Sequence, residues 1–411
     1  YSMHSFKEYL VEQQDKPPED RKKVKYIPHV EDHSFYRGHD GIAISAQHLE
    51  DFHDKLLGKN KSFHVSTKFD GAPSVVFGQH PENGQFFVST KGAFNRTPKV
   101  ALSHEDIDKH FGENPDLAKK MRYAFDHLPK IMPKKGGVYQ GDLMYIKSDI
   151  KNKGKMYHFT PNTLTYSTPH NSEHGRAIRN SKLGIVVHTH YRGGNDLSSM
   201  TAVPLSDGHR DKFDKHPHVH NINPVIKINP SNYTPEEQKA FLNHMENARR
   251  TYSSMKPESM ETIDGHGPNL RQHVNSMVRS GGVPSVDGYM DYLSERHKKD
   301  IDKLKTQTAK DRKIRSHAAE LKHVSDHRQH FEKLLQTHGH LQNAKNILLD
   351  VVGKNSDFTH SINGKKSGPE GAVGIDGQGN MSKFVQRGKD GFAMMNLNND
   401  KFKKKEKQKN D

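Results

Sequence analysis

Thr67-Lys68-Phe69-Asp70-Gly71 leaves a stretch of alternating apolar residues and enters a turn containing Ala72-Pro73. A lysine at a strand end, with a carboxylate two residues on, is a workable covalent nucleophile. Its amine must lose a proton before it attacks, so it needs desolvation or neighbouring cations to lower its pKa. The same tetrapeptide also fits an ordinary turn, with Lys68 in solvent and Asp70 capping turn amides, and patterns this short recur by chance. Other polar positions carry the same duality. Glu370-Gly371 reads alone as a polar turn, Lys383 as an edge-strand lysine, Asp142 after Gly141 as a bulge residue and His188 as a core or rim histidine. His188-Thr189-His190 and His216-Pro217-His218-Val219-His220 offer imidazoles to a zinc ion, or form a His-rich surface in a chain with 31 His.

Short strands must position these residues. Apolar alternation places them at 63–66, 74–77, 85–89, 138–146, 157–159, 164–166, 184–187 and 224–228. Helices are expected near Phe6–Val11, over 45–57 and over 103–128. From Thr234 the period becomes helical. Thr234-Pro235-Glu236-Glu237 is a capping box with proline at the first helical position. Residues 257–285 read as a Gly/Pro/Ser-rich linker, and 286–352 as charged helix broken at His338-Gly339-His340. Strand signals return at 368–375 and 381–387, and the tail from Lys401 to Asp411, with six Lys in eleven residues, reads as disordered. The pattern is α+β with antiparallel sheet.

Composition limits the chemistry. Across 411 residues there are 64 Lys+Arg against 49 Asp+Glu, a formal net charge of +15, with no Cys and no Trp. No disulfide framework, thiolate metal site or cysteine nucleophile is possible. Mean hydropathy is −0.97 and no apolar run approaches the length of a membrane span. Tyr1–Phe6 lacks the apolar core of a signal peptide. The positive balance predicts a polyanionic partner, nucleic acid first, and the low apolar fraction of 31% predicts much solvated helix and tail.

The ordered motifs resemble the covalent nucleotidyltransferases, the superfamily of ATP-dependent RNA and DNA ligases and capping enzymes. Lys68-Phe69-Asp70-Gly71 resembles its motif I, Ser89-Thr90-Lys91-Gly92 motif Ia and Tyr139–Met144 motif III. Lys182–His188 resembles motif IIIa, Glu370–Val373 motif IV and Lys383-Phe384-Val385 motif V. The resemblance covers roughly 60–230 and 365–395. It implies that Lys68 attacks the α-phosphorus of ATP to form lysyl-AMP, with Lys383 neutralising the α-phosphate. Asp70 and Gly71 would complete the nucleotide site, and Lys91 and Arg96 would contact ribose or phosphate. Asp142 would bind ribose or support the metal. His188 would stack on adenine, with Tyr191 as substitute. Glu370 would hold Mg²⁺ or Mn²⁺. Departures are Ala72-Pro73-Ser74 where DNA ligases often have Arg, Asp142 where motif III usually has Glu, and Val385 where motif V often has a second Lys. A competing assignment puts motif V at Val225-Ile226-Lys227-Ile228, but no glutamate then precedes Gly184.

The implied architecture is an antiparallel-sheet nucleotidyltransferase core, an ATP-grasp-like ligase fold, interrupted by a helical domain. Its expected parts are an N-terminal helical segment at 1–60, core at 61–231, inserted helices at 232–355, last core strands at 356–398 and a basic tail at 399–411. The implied activity is ATP-dependent polynucleotide ligation. The RNA-ligase-like turn after Gly71, and only 28 residues after Lys383, favour RNA over DNA. A catalytically inactive nucleic-acid-binding or virion-associated protein is the other class. The Phe6–Leu10 start and the motif set also resemble tailed-phage proteins, which would place the chain in the cytoplasm of an infected bacterium, away from membranes.

Overall fold

Strand alternation sorts side chains between two cores. Val75, Phe77 and Val88 join one cluster, while Val76 and Phe87, one residue out of phase, join another. Both faces of this sheet are therefore covered, because a strand presents successive side chains to opposite sides. The computed structural model describes residues 27–36, 38–60, 62–205, 207–388 and 391–399. The helix expected near Phe6 and the Lys-rich tail lie outside them.

The strands are β1 His64–Lys68, β2 Ser74–Gln79, β3 Phe86–Ser89, β4 Val100–Ala101, β5 Val138–Ile146, β6 Lys151–Lys153, β7 Met156–Phe159, β8 Thr165–Pro169, β9 Leu183–Arg192, β10 Thr201–Pro204, β11 Val219–Asn221, β12 Thr359–Ile362, β13 Lys365–Ser367, β14 Gly371–Ile375 and β15 Met381–Val385. The chain divides into two units. Among the described residues, one takes 27–65, 228–354 and 372–397, and the other 66–227, 355–371 and 398–399.

In the second unit a seven-stranded sheet runs β10-β9-β5-β2-β3-β4, with β11 added to β9. All its pairings are antiparallel except β11 with β9. Helices His104–Phe111 and Pro115–His127 send Ile107, Met121 and Ala124 into the same core as Val75 and Leu143. The single helix expected at 103–128 is thus two. Asn114 accepts from the Leu117 amide and Pro115 opens the second helix, so the break at 112–114 is a cap signal. A five-stranded antiparallel sheet, β13-β12-β8-β7-β6, completes this unit.

The first unit is mostly helical and includes β15 and all of β14 after Gly371. Thr234 caps helix Pro235–Ser253 through the reciprocal bonds of a capping box with Glu237. Several expectations fail here. Residues 257–285 hold two helices, Pro257–Ile263 and Gly267–Ser280, each with proline in its first turn. Proline there marks a helix start, where the missing N–H costs nothing. Gly339 sits inside the continuous helix Arg328–Lys354, which buries Leu334, Leu335, Leu341 and Leu348. Tertiary burial outweighs the propensity cost of one glycine. In the second unit, the strand expected at 224–228 is reduced to a single bridge between Val225 and Ser66. The helices between 235 and 354 share a unit with residues 27–65 and 372–397.

The same unit buries a set of ions. Glu31, Asp32, His338, Lys345 and Arg387 are all 2% exposed or less. Lys345 bonds Glu31, while Arg387 Nη1 lies 2.7 Å from Asp32 Oδ1 and 3.3 Å from Glu31 Oε1. Removing two carboxylates from water is tolerable only with such neutralisation.

Candidate active site

Lys68 is the last residue of β1, and Glu370 immediately precedes β14, the neighbouring strand. The Lys68 ammonium donates to Glu370 Oε1. The lysine side chain is a third exposed and the glutamate 13% exposed. The second carboxylate oxygen, Glu370 Oε2, is buried without a hydrogen-bond partner. Burial pushes the Glu370 carboxyl up to about 7. Lys68 opposes that rise, and the nearby Asp70 and Asp142 carboxylates add to it.

Gly71 explains the last position of the tetrapeptide. A Cβ built there would lie 2.6 Å from Asp142 Cβ and 3.0 Å from Met144 Sδ. Only glycine lets the turn close onto β5. The Ala72 amide then donates to the Leu143 carbonyl at 2.9 Å, and the Leu143 amide to the Pro73 carbonyl at 3.0 Å. The Ala72–Pro73 peptide is cis. On β5, Asp142 follows the register shift at Gln140/Gly141 and faces Ser74 and Val186 across the sheet. Its Oδ2 lies 3.5 Å from His188 Nε2.

Asp70, expected as a nucleotide contact, has both carboxylate oxygens engaged within the protein. Its Oδ1 accepts from Asn162 Nδ2 at 2.7 Å. Its Oδ2 accepts from the Thr163 amide at 2.9 Å, the Thr163 hydroxyl at 2.8 Å and the Leu164 amide at 2.9 Å. The Asp70 amide donates to Tyr166 Oη at 2.7 Å, and burial raises that phenol well above its ordinary pKa. With four donors on a 7% exposed residue, Asp70 fastens the 162–164 loop behind Lys68. Tyr166 and Asn162–Leu164 were missed as site residues. The only hint was a polar loop between two strands, and nothing local ties that loop to Asp70.

The remaining candidates fall in several places. His188 is half-buried, beside Asp142, with Nδ1 2.8 Å from Thr189 Oγ1. Tyr191 cannot substitute for it as a stacking platform. It is buried, stacked on Phe94 at 4.3 Å, with its hydroxyl donated to Gln140. Lys91 opens a short 3₁₀ turn capped by Thr90. Lys91 and Arg96 are exposed and make no bond among the described residues. Lys383 belongs to the other unit, on β15, where its amide donates to the Pro28 carbonyl at 2.9 Å. Lys227, the competing motif V lysine, pairs with Glu173 at 3.3 Å and Asp357 at 3.8 Å, and has no strand to hold it.

Carboxylate oxygens suit a hard cation such as Mg²⁺, and the orphaned Glu370 Oε2 is one ready donor. Glu370 and Asp142 do not, however, form a close three-ligand group. Among the described residues the only such group is Glu31, Asp32 and His338, already neutralised by Lys345 and Arg387. The His runs assemble no zinc site there either. His220 is tied to Tyr145 and His174, and His190 stacks on Tyr139. In the first unit His48 Nδ1 lies 2.7 Å from Ser382 Oγ and its Nε2 3.3 Å from Asp376. That trio imitates a hydrolase triad, but Ser382 is fully buried and out of a substrate's reach.

The model of a family described as a family of unknown function, DUF6267, matches residues 24–401. No curated protein and no solved structure matches the chain.

Proposed function

The chain belongs to DUF6267, a family without an assigned function, and from its own residues we propose that it is an ATP-dependent polynucleotide ligase, with RNA the favoured substrate. The observation that carries this reading is Lys68 held on Glu370 next to a glycine-closed turn, with Asp142 against that turn and His188 beside Asp142. In the first step the deprotonated Lys68 amine attacks the α-phosphorus of ATP. A P–N bond forms, the bond to pyrophosphate breaks and pyrophosphate leaves. A 5′-phosphate oxygen then takes the AMP, breaking the P–N bond and returning the amine. A 3′-hydroxyl finally displaces AMP as the strands join.

Asp70, tied to the 162–164 loop, holds the Lys68 turn in place. Asp142 and His188 line the side of the site nearest that turn. Glu370 orients the Lys68 amine, and its free oxygen, with Asp142, would hold Mg²⁺, which supplies charge neutralisation for phosphate oxygens. Ala72-Pro73-Ser74 in place of an arginine supports RNA over DNA, and DNA ligation is the nearest alternative.

Incubation with α-labelled ATP and Mg²⁺, followed by a denaturing gel, tests the reaction. A covalent label is expected on the wild type and none on Lys68→Ala. Absence of label with ATP, GTP and NAD alike would overturn the proposal in favour of a non-catalytic nucleic-acid binder, and label from GTP alone would make it a capping-type transferase. Sealing of single-stranded RNA against nicked DNA then decides the substrate.

A further inference from the structure

Helices Val286–Asp302 and Gln307–Asp326 form a hairpin in the first unit. Between Lys298 and Arg315 it carries eight Lys/Arg against three Asp. Among the described residues, only Lys303 of these eight has an ion-pair partner, Asp300 at 3.5 Å. Lys298, Lys305, Arg312 and Arg315 are exposed. An exposed, largely unpaired cation run of this density is complementary to a polyanion.

The second observation is independent of charge. Between the two helices lies an open, shallow depression of about 330 Å³. Ile301, Ile314 and Leu321 supply its apolar wall, Lys298 reaches it, and His297 and His317 line it. The two imidazoles stack with centroids 3.3 Å apart and planes at 11°. His297 Nε2 lies 2.8 Å from Glu320 Oε2. His297 Nδ1 and both ring nitrogens of His317 are buried without partners, and His317 is only 6% exposed. Orphaned buried nitrogens are costly unless something fills the place of water. Ile314, by contrast, leaves 48% of its surface exposed at this depression.

We propose that this hairpin binds single-stranded polynucleotide, with phosphates on Lys298, Lys305, Arg312 and Arg315 and one nucleobase in the depression. The apolar wall takes the face of the base, and the His317 nitrogens take its polar edge. This combination of cations along a backbone with a pocket for an unstacked base is how single strands are held without a duplex. Binding here requires neither ATP nor Lys68 chemistry.

The test is fluorescence anisotropy of the full chain with labelled single-stranded RNA and DNA over a series of salt concentrations, with polyphosphate as a base-free competitor. Replacing all four cations by alanine should flatten the log K against log salt slope by about 3, at ~0.7 per single-strand contact. His317→Ala should weaken oligonucleotide binding roughly tenfold at fixed salt with the slope unchanged. Ile314→Ser, a neutral change at an exposed position where folding is not at risk, should do the same. Neither should alter polyphosphate binding. Failure of the wild type to bind oligonucleotides, or an unchanged slope in the four-cation variant, would overturn the proposal. So would unaltered affinity in both His317→Ala and Ile314→Ser, or equal loss of polyphosphate. Intact binding alongside absent ATP labelling would count only against the transfer reaction.

Discussion

Asp70 separates a positioning role from a nucleotide contact. Asp70→Ala strips a carboxylate acceptor from two backbone amides, those of Thr163 and Leu164, in buried residues. A hydrogen bond to a charged group is worth roughly 1.5–3 kcal/mol, so the two amides alone put the loss at about 3–6 kcal/mol. For a unit of this size the melting temperature should fall on the order of 10 °C. Asp70→Asn keeps one oxygen in place for the three donors from Thr163 and Leu164, and should cost about 1–2 kcal/mol. The assay is thermal denaturation of both variants, with the ATP concentration for half-maximal covalent labelling measured below the transition. The reasoning requires the ordering alanine worse than asparagine in stability, with ATP dependence unchanged in the asparagine variant. An Asp70→Asn protein with wild-type stability but a strongly raised ATP requirement would refute it and restore Asp70 as a nucleotide contact.

Other consequences follow from the same geometry. Gly71→Ala forces a Cβ against Asp142 and should cut covalent labelling at least tenfold, as expected when a reacting group is displaced by about 1 Å; single-turnover labelling measures it. Glu370, with its folded pKa raised from 4.5 to about 7, binds a proton in the native state that the unfolded chain has released. Stability therefore falls as pH rises from about 4.5 to 7, by up to about 3 kcal/mol from this group. Glu370→Gln should remove that part of the slope in denaturant titrations at pH 5 and pH 8. Lys345→Met leaves Glu31 buried beside a lost partner and should destabilise by about 3–5 kcal/mol, with Glu31→Leu in the same chain restoring most of it; urea denaturation compares the single and double variants.

Local signals were legible where the cause is local. Thr234-Pro235-Glu236-Glu237 announces its helix because a capping box satisfies amides within four residues. The turn at Gly71 is visible as a pattern, and its strand context follows from alternation. The helices at 257–280 were hidden because proline and glycine were read as breakers, although proline in a first turn marks a start. The continuity of the helix through Gly339 was equally invisible, since buried leucines on either side decide it.

Within the site the division is sharper. The sequence alone offered a lysine at a strand end as a candidate nucleophile, ruled out thiolate chemistry and led to the expectation of a polyanionic partner. It also named Glu370 and Asp142 as carboxylates worth following. Only the tertiary structure placed Glu370 on Lys68 across 302 residues of chain, turned Asp70 toward a loop 92 to 94 residues away and buried Tyr191 under Phe94. Periodicity and capping report what a residue does with neighbours a few positions away, whereas a carboxylate's partner is chosen by strand pairing and loop closure over the whole unit. Charge and residue type are properties of the chain. Which charge faces which group, and which imidazole is left without a partner, are properties of the fold.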